Sequence, residues 1–113
     1  VPKSPYAQPR NLILGHGISA VVGVTCALLI DISPGLAAAL AVSLALVGMH
    51  LTKSLHPPGG ATALIAVIGG DEVHQLSYWY VFSPILTGAA IMLVVALLVN
   101  NMSSYRRYPE FWF

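Results

Sequence analysis

One polar string inside a largely apolar chain has residue types that suit the binding of a small anion. His56-Pro57-Pro58 is followed by Gly59-Gly60-Ala61-Thr62, and long apolar segments flank the string on both sides. Because proline lacks an N–H and glycine lacks a side chain, a helix starting here presents unshielded amides and the positive end of its dipole. Such amides are costly in hydrocarbon unless protein, water or a ligand satisfies them. We therefore predict that function lies at this string.

The donors expected at this helix start are the backbone amides of Gly59, Gly60, Ala61 and Thr62, together with the Thr62 hydroxyl. A protonated His56 favours an anion and a neutral one does not, which offers a route to proton coupling. A structural interpretation stays open, in which the Pro-Gly pair forms a tight turn, the glycines serve helix packing and Thr62 caps the helix.

Arg10 and Asn11 stand where the first apolar segment begins, and we expect them at the same end of the molecule as His56. They are predicted to lie at the mouth of a cavity that they share with His56. The positive-inside rule alone also accounts for an arginine at that position, so a structural role for Arg10 stays open.

Two further histidines fall inside apolar segments, where ionisable side chains often mark a transport path. His16 lies in the first segment and His50 lies near the end of the second. Lys53 follows His50 by three positions and shares its helical face if the helix persists. It either attracts anions or extends its amine to the membrane interface. Either histidine can instead hydrogen-bond a neighbouring helix, and that structural interpretation stays open. We include His16, His50 and Lys53 among the candidate substrate-binding residues.

The composition indicates a membrane protein. Hydrophobic residues make up 57% of the chain and charged residues 8%, whereas soluble domains carry about 25% charged residues. The net charge of +1 and the scattered basic residues exclude nucleic acid as a partner. Cys26 is the only cysteine, so the chain has no internal disulfide or cysteine-based zinc site, and we predict a structural thiol. Neither a metal nor an organic cofactor is expected.

Apolar segments cover residues 11–30, 36–52 and 79–100, and a shorter one covers residues 61–70. Each long segment suffices, or nearly so, to cross a hydrocarbon core of about 30 Å as a helix. Ser33 is expected to cap the second helix, with Pro34 in its first turn. The predicted fold is therefore all-α: a polytopic membrane helical bundle with three long spans and one short, Pro/Gly-broken helix.

The charges favour a short segment that crosses the membrane rather than returning to its starting side. Crossing puts all the basic residues at one end of the bundle, which the positive-inside rule makes cytoplasmic, and three acidic residues at the other. The basic residues are Lys3, Arg10, Lys53, Arg106 and Arg107, and the acidic ones are Asp31, Asp71 and Glu72. Both ends of the sequence are then cytoplasmic.

Several strings resemble the HPP family of integral membrane proteins, and the similarity extends over nearly the whole chain. These are Gln8-Pro9-Arg10-Asn11, Gly15-His16, residues 56–64, Asn100-Asn101 and Arg107-Tyr108-Pro109-Glu110. The resemblance implies a multi-pass protein of bacterial plasma membranes or chloroplasts, and some members are linked to nitrite transport. Members generally have further hydrophobic segments upstream. We therefore expect residues 1–113 to be a single HPP-type transmembrane domain, a C-terminal fragment that lacks upstream spans.

Together these features predict a transporter or channel-like permease for a small inorganic anion, with nitrite as the named candidate, in the bacterial plasma membrane. A non-transporting membrane scaffold or sensor is one alternative. A metal-cation transporter is another, although His16, His50, His56 and His74 are too dispersed for one site. No nucleophile motif accompanies the histidines, so no enzyme and no catalytic residue are predicted. The expected partners are the lipid bilayer, upstream transmembrane segments of the full-length chain and a second copy in a homo-oligomer.

Overall fold

The computed structural model describes residues 2–113, and the regular structure in this part of the chain is entirely helical. The elements are a 3₁₀ turn Pro5–Ala7, α1 Pro9–Leu29, α2 Pro34–Leu51, α3 Pro58–Ile68, α4 Asp71–Leu76, an irregular helical turn Val81–Leu86 and α5 Thr87–Asn101. Three stretches are long and apolar enough to cross a membrane: α1, α2 and Val81–Asn101. Helix α3, with 11 residues, is only about 16 Å long. The predicted class, three long spans and one short broken helix, is confirmed.

Small residues determine how closely α1, α2 and α3 pack. Ala37, Ala41 and Ala45 are buried along one stripe of α2, in a cluster with Ala63 and Cys26. Small side chains let helix backbones approach one another in lipid, where apolar surface alone gives little drive for association. The thiol of Cys26 is free and buried in this cluster, as its apolar setting predicted.

Helix α3 runs in the same direction as α1. A Cβ on Gly59, near the start of α3, would lie 2.6 Å from the Ser19 hydroxyl, and one on Gly23, further along α1, would lie 2.7 Å from the Ala63 carbonyl. The chain therefore has its two ends on one side of the bundle, where the Tyr108 hydroxyl donates to the Ala7 carbonyl. This is the arrangement expected if α3 crosses the membrane, with the basic residues at one end.

Two local predictions have different outcomes. Ser33 caps α2 as predicted, because its hydroxyl accepts from the Leu36 amide and Pro34 begins the helix. The long span predicted over residues 79–100 is present as Val81–Asn101, but it is not a regular helix throughout. At Ser83 the backbone is extended (φ −140°, ψ 119°), since the next residue, Pro84, lacks an N–H and its ring excludes the preceding helical turn.

Candidate functional site

The connection between α2 and α3 turns back into the bundle instead of staying at its surface. Helix α2 ends at Leu51, and Lys53 has a left-handed backbone (φ 52°) that reverses the chain. The following residues pass so close to α1 that a Cβ on Gly15 would lie 2.5 Å from Cβ of His56. Helix α3 therefore begins beside residues 15–19, about 9–15 Å along α1 from its first residue.

Arg10 and Asn11 hold this returning segment in place. Arg10 Nη2 donates to the Thr52 carbonyl at 2.8 Å, and Asn11 Nδ2 donates to the Leu55 carbonyl at the same distance. Backbone that is not helical is tolerated at membrane depth when protein groups satisfy it. The structure thus places both residues at the same end as His56, and it gives both side chains a backbone partner.

His16 and His56 meet inside the bundle. Their ring centroids are 4.8 Å apart and the rings are inclined at 62°, an edge-to-face contact. Nδ1 of His16 lies 2.7 Å from the Thr62 hydroxyl, and Nδ1 of His56 lies 2.8 Å from the Tyr6 carbonyl. Because a carbonyl only accepts, Nδ1 of His56 carries a proton. Three of the predicted site residues, His16, His56 and Thr62, therefore form one cluster.

One ring nitrogen of this cluster lacks a hydrogen bond. Nε2 of His16 is buried and has no partner among residues 2–113. His16 and His56 also line a cavity of about 700 Å³ that extends along α5 toward Asn100 and Tyr108. Buried polar atoms without a partner are uncommon, and each calls for an explanation such as a functional role or a bound molecule.

The amides at the start of α3 are less available than the sequence suggests. The Gly59 amide donates to the His56 carbonyl at 2.8 Å and the Gly60 amide donates to the Pro57 carbonyl at 3.0 Å. Gly59 is also packed tightly against Ser19 and leaves no space for an ion. These two amides are therefore not free to bind an anion, which leaves the ring nitrogens of His16 and His56, on the cavity wall, as candidate donors.

His50 and Lys53 are separate from the histidine pair. Both line a second cavity of about 370 Å³, together with Asn11 and Leu55. Nδ1 of His50 donates to the carbonyl of Leu46 on its own helix at 2.9 Å. The predicted site residues thus divide into an inner group around His16 and His56 and an outer group around Lys53.

Tyr80 supports the inner group and was not identified from the sequence. Its side chain is 1% exposed, and its hydroxyl donates to the Thr62 carbonyl at 2.8 Å. Thr62 is therefore held on its backbone by Tyr80 while its hydroxyl contacts His16. The aromatic pair Trp79-Tyr80 indicates only a membrane interface, so the sequence carried no specific signal for this role.

A network that we call the terminal clasp joins the two ends of the chain beside the site. The buried Gln8 side chain donates to the carbonyls of Pro2 and Ser4, and its oxygen accepts from the amide of Glu110 at 2.8 Å. The Tyr108 hydroxyl donates to the Ala7 carbonyl at 2.8 Å, and burial raises the pKa of this hydroxyl. Gln8 is the first residue of the Gln8-Pro9-Arg10-Asn11 string, but nothing in the sequence predicted its hydrogen-bond partners.

The described part of the chain holds no group of three or more His, Cys, Asp or Glu residues placed to bind a metal. His74 is remote from the histidine pair, because its Nε2 donates to the Val67 carbonyl at the far end of α3. The pair supplies at most two imidazole ligands.

Comparison with known proteins agrees with this architecture. The family model described as HPP, transmembrane region, matches residues 1–109. Two transmembrane proteins of Dictyostelium discoideum are 54% identical over 114 residues and 52% identical over 115 residues. The matches cover 98% and 99% of this chain but 36% and 40% of the relatives. The chain therefore spans well under half of their length. No solved structure matches. Neither relative is bacterial, so the predicted bacterial membrane has no support.

Proposed function

The chain belongs to the HPP family of integral membrane proteins, and we propose that it is the site-containing domain of a permease for a small inorganic anion, with nitrite as the first candidate. One observation carries the proposal: His16 and His56 meet at membrane depth on the wall of a cavity, and Nε2 of His16 has no partner. Ionisable side chains inside membrane bundles are expensive and commonly mark substrate or proton pathways.

The hydrogen bonds around the pair suit an anion. When the Thr62 hydroxyl donates to Nδ1 of His16, the proton of that neutral ring resides on Nε2, which then offers an N–H to an anion. His56 already donates from Nδ1 to Tyr6, so its Nε2 becomes a donor only in the imidazolium form. An anion bound beside the rings, at their Nε2 atoms, is therefore held together with a proton on His56, and anion and proton move together.

The cavity is much larger than nitrite, and α5 supplies its apolar wall through Ile91, Val95 and Val99. We propose that upstream transmembrane segments of the full-length chain, or a second copy in a homo-oligomer, narrow it to a path for a small ion. We further propose that both ends of this domain are cytoplasmic, because the basic residues gather at that end of the bundle.

Two alternatives belong to other classes. A membrane scaffold or sensor is favoured by the close contacts of α1, α2 and α3 through glycine and alanine, which serve assembly as well as transport. A metal-cation transporter would use the two imidazoles of His16 and His56, which are good ligands for transition metals but too few alone for a typical site. No covalent catalysis is proposed.

The test is nitrite flux into proteoliposomes that contain the full-length protein, with nitrate and formate as competitors. His16→Gln and His56→Gln are compared with His74→Gln, which removes a histidine at the opposite end of the bundle. We expect flux to fall at least roughly tenfold in the first two, the effect of losing one buried charge-assisted hydrogen bond, and to persist in the third.

Each variant is first checked for assembly by size-exclusion chromatography. Absence of nitrite flux in the parent would overturn the nitrite assignment. Normal flux in assembled His16→Gln would overturn the site. Loss of assembly in Thr62 or Gly59 variants, with no flux in any preparation, would favour the scaffold, and flux of Zn²⁺ or Mn²⁺ would favour the cation transporter.

A further inference from the structure

A short piece of chain separates two neighbouring cavities. The outer cavity is lined by Lys53 and His50, and the inner cavity is lined by His16 and His56. Leu55 and Tyr6 line the outer cavity of about 370 Å³, while their neighbours His56 and Ala7 line the inner one. Consecutive residues thus face different cavities. The dividing wall is formed by the returning segment at residues 55–56 and by the N-terminal turn.

Two hydrogen bonds close this wall. Asn11 Nδ2 donates to the Leu55 carbonyl at 2.8 Å, and Nδ1 of His56 donates to the Tyr6 carbonyl at 2.8 Å. Both donors are among the residues that the sequence marked as candidates. The second of these bonds involves the histidine proposed to take up a proton.

The outer cavity is open to the surface, and Lys53 gives it a positive charge. Both Lys53 and His50, three positions earlier, are exposed, and none of the described residues that line the cavity is acidic. The ammonium group supplies a full charge and N–H donors. A cleft with one sign of charge raises the local concentration of ions of the opposite sign.

We propose that the outer cavity is a second anion-binding station, in which Lys53 holds a monovalent oxyanion before it passes the wall to His16 and His56. The assignment rests on the proposed function and adds a separate recruiting site to it. The shared chemistry of free nitrite and a lipid phosphate is a small oxyanion. We assign the station to the free anion, because Asn11 and Leu55 line this cavity and the bond between them belongs to the wall that separates it from the inner site.

The first experiment compares the kinetics of nitrite flux in the full-length protein. Lys53→Gln removes the station's charge, whereas Lys3→Gln removes a charge from an exposed residue at the same end that lines neither cavity. We expect KM to rise roughly threefold to tenfold in Lys53→Gln, because this variant loses about one partly exposed charge interaction with the anion. The maximal rate stays close to that of the parent. Equal KM values in the two variants would overturn the station while leaving the inner site intact.

The second experiment needs no transport. The full-length protein in phosphatidylcholine nanodiscs is acetylated at its amines by sulfo-NHS-acetate during a titration with sodium nitrite or sodium nitrate, and modification is read by peptide mass spectrometry. We expect saturable protection of Lys53 and none of Lys3. Such protection in a protein without flux would uphold the station and reject the permease. No protection by either salt would overturn the station, and so would protection that appears only when phosphatidylglycerol is added.

Discussion

The rings of His16 and His56 contact each other edge to face at a centroid distance of 4.8 Å, and the glycine beside His16 makes this contact possible. A Cβ at Gly15 would lie 2.5 Å from Cβ of His56 and 3.0 Å from the Ser54 carbonyl. Any larger residue at position 15 therefore displaces the returning segment. The histidine pair depends on a backbone approach that only glycine allows.

The two glycines of the polar string are expected to differ sharply in their tolerance of alanine. A Cβ at Gly59 meets the Ser19 hydroxyl at 2.6 Å and the Met49 sulfur at 3.0 Å, whereas one at Gly60 has its nearest contact, Val42, at 3.7 Å. Gly59→Ala should lower the free energy of unfolding by about 1–3 kcal/mol through overpacking. Gly60→Ala should change it little or stabilise the helix by up to about 1 kcal/mol.

Thermal unfolding in detergent, followed by circular dichroism, measures both variants under identical conditions. Equal destabilisation of the two would show that the helix start is not packed as tightly against α1 and α2 as the structure indicates.

The terminal clasp should contribute measurably to stability. Gln8 is fully buried and bonds to backbone groups from both ends of the chain. Gln8→Ala leaves several of these groups without partners, at a cost of about 1–3 kcal/mol. Gln75→Ala, at an exposed position of α4, is the matched control and should be nearly neutral. Hydrogen exchange of residues 108–113 provides the readout, and unchanged protection in Gln8→Ala would contradict the clasp.

Tyr108 should make the clasp sensitive to alkaline pH. Burial raises the pKa of its hydroxyl, which donates to the Ala7 carbonyl. The folded state therefore favours the neutral form, so the stabilisation is present below the ordinary tyrosine pKa of about 10 and is lost as pH rises above it. Tyr108→Phe should be less stable than the parent by about 1 kcal/mol at pH 8, and the difference should shrink toward pH 11.

Thermal unfolding at several pH values tests this, with Tyr105→Phe as the control because Tyr105 is almost fully exposed. A Tyr108→Phe protein that loses stability with pH as steeply as the parent would argue against the assignment.

Much of the fold could be predicted because it follows from local sequence. The length of each apolar segment, the start of α2 at Ser33-Pro34 and the polar interruption at His56 each depend only on residues that are close in sequence. The gathering of Arg10, Asn11 and His56 at one end followed from the order of the spans and from charge. The break at Ser83 was missed because Pro84 can also occupy the first turn of a helix, and composition does not distinguish the two cases.

The site was harder to predict because it depends on contacts between distant residues. To predict that His56 approaches His16, one must know which face of α1 places Gly15 against α3. Sequence reasoning also assumed bare amides at Gly59 and Gly60, but tight turns let carbonyls three residues earlier accept from them. The division of His50 and Lys53 from the inner pair depends on how the N-terminal turn packs, which no local pattern encodes.

His16→Leu is expected to separate function from stability. The substitution leaves the buried Thr62 hydroxyl without its partner, at a cost of about 1–3 kcal/mol, but it also removes the unpartnered Nε2, whose burial costs a similar amount. The free energy of unfolding should therefore stay close to that of the parent, while nitrite flux is lost. A histidine retained for folding alone predicts the opposite, a marked loss of stability.

Thermal unfolding and nitrite flux are measured on the same full-length preparation, with Thr62→Val as the companion variant because it removes the hydroxyl and leaves the ring in place. Thr62→Val frees both nitrogens of His16 and should destabilise the protein, whereas His16→Leu together with Thr62→Val should recover most of that loss. A double variant less stable than Thr62→Val alone would mean that His16 makes stabilising contacts beyond Thr62, and the orphaned nitrogen would then be no mark of function.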